Sequence, residues 1–171
     1  MGRRMETGKL TLVLGGARSG KSRHAEALVM QAPPRWTYVA TAQLYDGEMQ
    51  ARVAEHRARR AEGWVTIEAP IDLGAALAPP GPLLVDCLTL WLTNVMLADL
   101  DVARETARLE AALAGRSGPT VLVSNEVGLG IVPDNALARR FRDAAGVLHH
   151  RLAARADGVV MMIAGIPLQV K

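Results

Sequence analysis

The segment Gly15-Gly16-Ala17-Arg18-Ser19-Gly20-Lys21-Ser22 constrains this chain more than any other. It follows an apolar run of strand length, Leu10-Thr11-Leu12-Val13-Leu14, and opens a helix-forming segment over residues 21–30. The pattern G-x-x-x-x-G-K-S between a strand and a helix reads as a phosphate-binding loop. Its glycines permit backbone conformations that other residues resist. Loop N–H groups can then point at phosphate oxygens, and the positive end of the helix adds to the field. The pattern predicts that Lys21 reaches the β- and γ-phosphates of a nucleotide and that Ser22 ligates Mg²⁺. It specifies nucleotide binding far better than it specifies a reaction.

Short Val- and Leu-rich runs alternate with helix-period segments along the rest of the chain, which argues for an α/β fold around a mainly parallel sheet. Strands are expected at Thr37-Tyr38-Val39-Ala40, Val65-Thr66-Ile67, Leu83-Leu84-Val85-Asp86, Thr120-Val121-Leu122-Val123 and residues 159–163, with an edge strand over 167–171. Helices are expected over 48–62, which is Ala- and Arg-rich, and over 88–113 with a break near 99–101. A last helix starts near Pro133 and Asp134, with Leu137, Phe141, Leu148 and Leu152 as one apolar stripe through Ala153. Pro33 and Pro34 stop the first helix, and Pro79-Pro80-Gly81-Pro82 is a turn.

The 171 residues suit one domain, expected over 10–171 behind a flexible N-terminal extension, 1–9. Half of the residues are hydrophobic but only 4% are aromatic, so the core is expected to be Leu, Val, Ala and Met. A net charge of +3 and no aromatic stacking series argue against nucleic acid as a partner. One cysteine, Cys87, excludes an internal disulfide. The first residues lack the apolar region of a signal peptide, and no run approaches the length of a membrane span. The expected location is the cytoplasm.

Asp86 ends a buried-type strand, where a carboxylate beside a phosphate loop is the expected Mg²⁺ partner. A helix cap would use the same residue. No asparagine begins the N-K-x-D guanine-reading pattern, which argues against a signalling GTPase but not against GTP as a substrate.

Arg52, His56 and Arg60 fall at i, i+4 and i+8 of the expected 48–62 helix, with Arg57 and Arg59 close by. Phosphates suit such a cationic face. Neighbouring arginines disfavour the protonated ring of His56, and a neutral imidazole is a competent nucleophile. A solvated helix face with an incidental histidine accounts for the same residues. His24 is expected only to pack or cap, and His149 and His150 to be solvated. No cluster has zinc-ligand spacing.

Taken together, these residues resemble the bifunctional adenosylcobinamide kinase / adenosylcobinamide-phosphate guanylyltransferase family of cobalamin biosynthesis. The resemblance runs from Leu10 almost to the C-terminus. Its marks are the phosphate loop with Arg23, Tyr38-Val39-Ala40-Thr41-Ala42, Glu48-Met49 with Arg52 and His56, residues 88–94, and Ser124-Asn125-Glu126-Val127-Gly128-Leu129-Gly130-Ile131-Val132-Pro133, continued over 139–146.

The resemblance implies a single-domain P-loop NTPase fold, a mainly parallel sheet flanked by helices of the RecA-like kind. It implies that His56 takes GMP from GTP as a covalent intermediate. It places Ala40, Thr41, Ala42, Arg57, Ala58, Arg59, Arg60, Glu68 and Asp86 at the nucleotide, with Gly15 to Ser22 around its phosphates. Catalysis then rests on His56 and Lys21, and the metal, Mg²⁺, on Ser22 and Asp86. The implied substrates are ATP or GTP with adenosylcobinamide, then GTP with adenosylcobinamide phosphate, and the implied assembly is a homotrimer. Asn125 and Glu126 are candidates to shape the corrinoid or nucleotide site. A small-molecule kinase without nucleotidyl transfer, or a nucleotide-sensing module without turnover, are the competing readings.

Overall fold

The computed structural model describes residues 9–43 and 62–171. The expected 48–62 helix, with Glu48, Met49, Arg52, His56, Arg57, Ala58, Arg59 and Arg60, lies outside them but for Glu62, as does the extension up to residue 8.

Seven strands form one sheet: β1 (Leu10–Gly15), β2 (Trp36–Ala40), β3 (Trp64–Glu68), β4 (Leu83–Asp86), β5 (Thr120–Asn125), β6 (Gly158–Ile163) and β7 (Ile166–Gln169). Their order is β3-β2-β4-β5-β1-β6-β7. All pairs are parallel except β6 with β7, which is the expected edge strand. The helices are α1 (Lys21–Val29), α2 (Leu73–Ala76), α3 (Leu88–Leu97), α4 (Val102–Ala114) and α5 (Ala136–Arg155). This is the expected α/β architecture.

Both faces of the central strands are covered, which is why their sequences read as unbroken apolar runs. The two-residue period divides them. Leu12, Leu14, Val39, Leu83, Val85 and Leu122 pack with Leu73, Trp91, Leu92, Leu109, Leu148 and Leu152 of α2 to α5. Val13, Tyr38, Leu84, Val121, Val123 and Val160 face Ala25, Leu28 and Val29 of α1. Methionine contributes less than its expected share. Met162 is buried and Met96 and Met161 are half-buried. Trp91 fills the volume instead, fully enclosed, with its indole N–H donating to Ile71 O at 2.8 Å.

The break expected near 99–101 is a helix end and a helix start. Asp99 takes a left-handed conformation (φ 54°). Asp101 then caps α4, its carboxylate accepting from the N–H groups of Ala103 and Arg104 at 2.9 and 3.1 Å. Asn135, rather than Pro133 or Asp134, caps α5, accepting from Ala138 N–H at 2.7 Å. Buried Arg116 ties down the proline-rich turn. It donates to the carbonyls of Leu77, Pro79 (2.8 Å) and Gly81 (2.6 Å), and to Thr120 Oγ1 at 2.7 Å.

Two side-chain expectations fail on α5. Leu137 is exposed, and the buried stripe consists of Ala145, Leu148, His149 and Leu152, with Phe141 half-buried. His149 is buried rather than solvated, whereas His150 is exposed as expected. Positions 145, 148, 149 and 152 are i, i+3, i+4 and i+7, so the helical period places His149 on the inner face.

Candidate active site

Parallel strands end together, and here their C-terminal ends gather the chemistry-bearing residues. Ala40 pairs with both Glu68 and Asp86, and Gly15 pairs with Asn125 and Met162. Asp86 pairs with Val123, so Ala40, Glu68 and Asp86 lie two residues short of Gly15 and Asn125 at one C-terminal edge, where α/β sheets bind ligands.

The phosphate loop leaves β1 at this edge. A Cβ on Gly15 would lie 2.7 Å from Met162 O and 2.7 Å from Ser19 Oγ, so no larger residue fits without displacing the loop. Arg18 (φ 53°) and Gly20 (φ 89°) turn the chain into α1. No side chain caps α1, which leaves its first N–H groups open towards the loop. Ser19 Oγ is buried and has no protein partner. An orphaned hydroxyl beside an uncapped helix N-terminus fits an anion such as phosphate.

Lys21 is 8% exposed and its Nζ donates to Gly16 O at 2.5 Å, so it bridges its own loop. Burial lowers its pKa, an effect opposed by Cys87 and Asp86. Burial, with Asp86 adding to it, also pushes the Cys87 thiol up, so the thiol is neutral at pH 7 and Asp86 supplies the opposing charge. His24, on α1, has a lowered pKa from burial, and its Nε2 is enclosed without a partner.

Asp86 accepts from Tyr38 Oη through Oδ2 at 2.8 Å. Among the described residues no group of three His, Cys, Asp or Glu side chains could hold a metal alone. A hard cation here would take Ser22, Asp86, phosphate oxygens and water, which is how Mg²⁺ is ordinarily bound.

Thr41 stands beside Asp86 but its side chain is spent on Cys87. Its Oγ1 donates to Cys87 O (2.7 Å) and accepts from Cys87 N–H (2.8 Å), and Asn94 donates to Thr41 O at 2.8 Å. Asn125 donates to Thr89 Oγ1 at 3.1 Å. The N–H of Glu126 donates to Gly15 O at 3.0 Å, which docks the 124–133 segment against the phosphate loop. Beyond it Leu129, Ile131 and Val132 are exposed. Sequence reasoning gave Cys87 and His149 no role at the site, and took Thr89 and Asn94 only as part of the 88–94 mark. Thr41, Asn125 and Ser124, which they meet here, lie 25 to 53 residues away, so only the helical period at His149 offered a local signal.

A cleft of about 370 Å³ opens at the other end of the sheet, by Leu10 and Thr120. In it Glu110 is paired with Arg155 at 3.4 Å and Asp157 accepts from Leu10 N–H at 2.7 Å.

The comparisons agree with this geometry. Residues 11–170 match the family described as cobinamide kinase / cobinamide phosphate guanyltransferase. The bifunctional adenosylcobalamin biosynthesis protein CobP of Pseudomonas aeruginosa is 51% identical, over 94% of this chain and 96% of that protein. The bifunctional adenosylcobalamin biosynthesis protein CobU of Salmonella typhimurium is 42% identical, over 95% of this chain and 99% of that one. Among solved structures, the flagellar accessory protein FlaH of Methanocaldococcus jannaschii has a TM-score of 0.53 at 12% identity, covering 97% of this chain and 79% of that one. An ATPase of a type III secretion system also has a TM-score of 0.53, at 10% identity over 94% and 56% of the two chains. Those two show the fold alone, that of P-loop ATPases. A family match over nearly the whole chain and relatives above 40% identity make this protein an enzyme of the cobinamide kinase / cobinamide phosphate guanyltransferase family.

Proposed function

We propose that this chain performs both activities in succession at the sheet edge that bears the phosphate loop. In the first, ATP or GTP lies with its phosphates against Gly15 to Ser22. The aminopropanol hydroxyl of adenosylcobinamide attacks the γ-phosphorus, and a nucleoside diphosphate leaves. In the second, His56 attacks the α-phosphorus of GTP and pyrophosphate leaves. The phosphoramidate then passes GMP to adenosylcobinamide phosphate, giving adenosylcobinamide-GDP.

The observation that carries the reading is the loop itself: an uncapped helix N-terminus, an orphaned Ser19 hydroxyl and a buried Lys21 at one point. Lys21 stabilises charge developing on the phosphates, in a site where low dielectric strengthens the effect. Ser22 and Asp86 would hold Mg²⁺, which offsets phosphate charge when bound. Ala40, Ala42 and Glu68 flank Asp86 at the nucleotide, and Arg57, Ala58, Arg59 and Arg60 belong there by resemblance. Thr41 serves the same site by fixing the backbone at Asp86 and Cys87. The apolar side chains of Leu129, Ile131 and Val132 suit a large, flat corrinoid acceptor.

A loop of this kind explains cleavage at the γ-phosphate. Nucleotidyl transfer needs a nucleophile at the α-phosphate, and the Arg52-His56-Arg60 pattern supports that role for His56. The same reading includes a homotrimer in the cytoplasm. Among the described residues no helix is long and apolar enough to cross a membrane.

Intact-protein mass spectrometry after incubation with GTP and Mg²⁺, beside His56→Ala, tests the second step. A GMP-sized adduct on the wild type alone is expected. No adduct on either protein, with nucleotide binding confirmed, would leave a plain kinase.

A further inference from the structure

Ser124 lies in β5 and Glu126 just past its end, and both face α5 at His149. His149 of α5 lies between them. Its Nε2 is 2.7 Å from Ser124 Oγ, and its Nδ1 is 3.8 Å from Glu126 Oε2. His149 is 6% exposed, and Nδ1 is fully enclosed with no hydrogen-bond partner. The other carboxylate oxygen of Glu126, Oε1, accepts from Gly128 N–H at 2.5 Å.

We infer that Glu126 is the general base that takes the proton of the acceptor hydroxyl in the kinase step, and that His149 is the positioning residue that holds and orients it. The inference rests on the proposed kinase activity and names two residues for it.

Three observations carry it. The backbone N–H of Glu126 donates to Gly15 O, which places this residue immediately beside the first glycine of the phosphate loop. A buried ring nitrogen without a partner is costly, and the one acceptor it faces is Oε2. A shift of about 1 Å closes 3.8 Å to hydrogen-bond distance, and such bonds are commonly long before substrate arrives. Nδ1 faces a carboxylate, which can only accept, so we place the ring proton on Nδ1 and leave Nε2 to accept from the Ser124 hydroxyl. Burial lowers the His149 pKa, opposed by Glu126, which keeps the ring neutral and a single donor in that direction.

The step balances as follows. The acceptor O–H bond breaks and its proton passes to a Glu126 oxygen. The acceptor oxygen forms a bond to the γ-phosphorus, and the bond from that phosphorus to the β–γ bridging oxygen breaks. The nucleoside diphosphate leaves with that electron pair, and Glu126 returns its proton to water.

The test is steady-state phosphorylation of adenosylcobinamide by the whole chain, with nucleotide affinity and thermal melting measured on each variant. Glu126→Gln is expected to lower kcat about a hundredfold or more, with nucleotide affinity within about twofold of wild type. His149→Gln and His149→Asn separate the two ring nitrogens. A glutamine amide reaches the place of Nε2 and keeps Ser124 but offers Glu126 nothing. An asparagine amide reaches the place of Nδ1 and keeps a donor to Glu126. His149→Gln is expected to lower kcat about tenfold or more at little change in KM, and His149→Asn to restore most of it. Equal kcat in the two His149 variants, or undiminished turnover in folded Glu126→Gln, would overturn the inference and leave the proposed function standing. A wild-type protein that does not phosphorylate adenosylcobinamide would overturn the proposed function itself.

Discussion

Thr41 and Cys87, 46 residues apart, exchange two hydrogen bonds: the threonine hydroxyl donates to the Cys87 carbonyl at 2.7 Å and accepts from the Cys87 N–H at 2.8 Å. The hydroxyl closes the ends of β2 and β4 in place of the ladder that stops at Ala40 and Asp86. Thr41→Val keeps the shape but strips the Cys87 N–H of its partner and leaves the Cys87 carbonyl only the N–H of Trp91. A loss of about 1–3 kcal/mol in urea unfolding is expected, with Thr41→Ser within about 1 kcal/mol of wild type. A valine variant as stable as wild type would contradict this account.

Lys21 is buried and bridges to Gly16 O. Lys21→Ala therefore removes a charge that the folded loop has already oriented. Kinase turnover is expected to fall about 10²- to 10³-fold, and formation of the GMP adduct to slow with it. Turnover near that of wild type would remove Lys21 from the chemistry.

Asp86 is oriented by Tyr38 Oη at 2.8 Å. Asp86→Asn keeps the acceptor for Tyr38 and loses the charge. The Mg²⁺ concentration for half-maximal kinase activity is expected to rise about 10- to 100-fold, and by less in Tyr38→Phe. An unchanged Mg²⁺ titration would remove Asp86 from the metal site.

Glu110 on α4 accepts from Arg151 at 2.9 and 2.7 Å and lies 3.4 Å from Arg155 on the same helix, α5. The hydrogen bonds from Arg151 hold its carboxyl below the ordinary value. A carboxylate whose pKa is depressed on folding adds stability above the unfolded pKa, and the gain is lost as pH falls through the folded one. The melting temperature of the wild type is thus expected to fall below the ordinary carboxylate range, and Glu110→Gln to flatten that fall while melting lower at neutral pH. Parallel melting curves across the acid range would show that the pair does not link folding to pH.

Local pattern made much of the architecture legible. A loop that must face phosphate needs glycines, lysine and serine at set spacing, so residues 15–22 could be read without the fold. Strands covered on both faces announce themselves as apolar runs, as at Leu83-Leu84-Val85. The break between α3 and α4 was legible because Asp99 and Asp101 bear its chemistry themselves.

The residues that pin the site were not. Asn94 reaches Thr41 O across 53 residues, and His149 reaches Ser124 across 25. The helical period separates inner His149 from exposed His150, but nothing near them in the chain names Ser124 and Glu126 as the groups that enclose His149. The sequence alone determined the described strands, the longer described helices and the place of the phosphate-loop pattern, because these follow from short-range spacing, though not the four-residue α2. The tertiary structure decided that β1 lies between β5 and β6, that Glu126 abuts the phosphate loop, and what encloses His149. Those outcomes depend on strand order and helix docking, which are settled by packing between segments far apart in the chain.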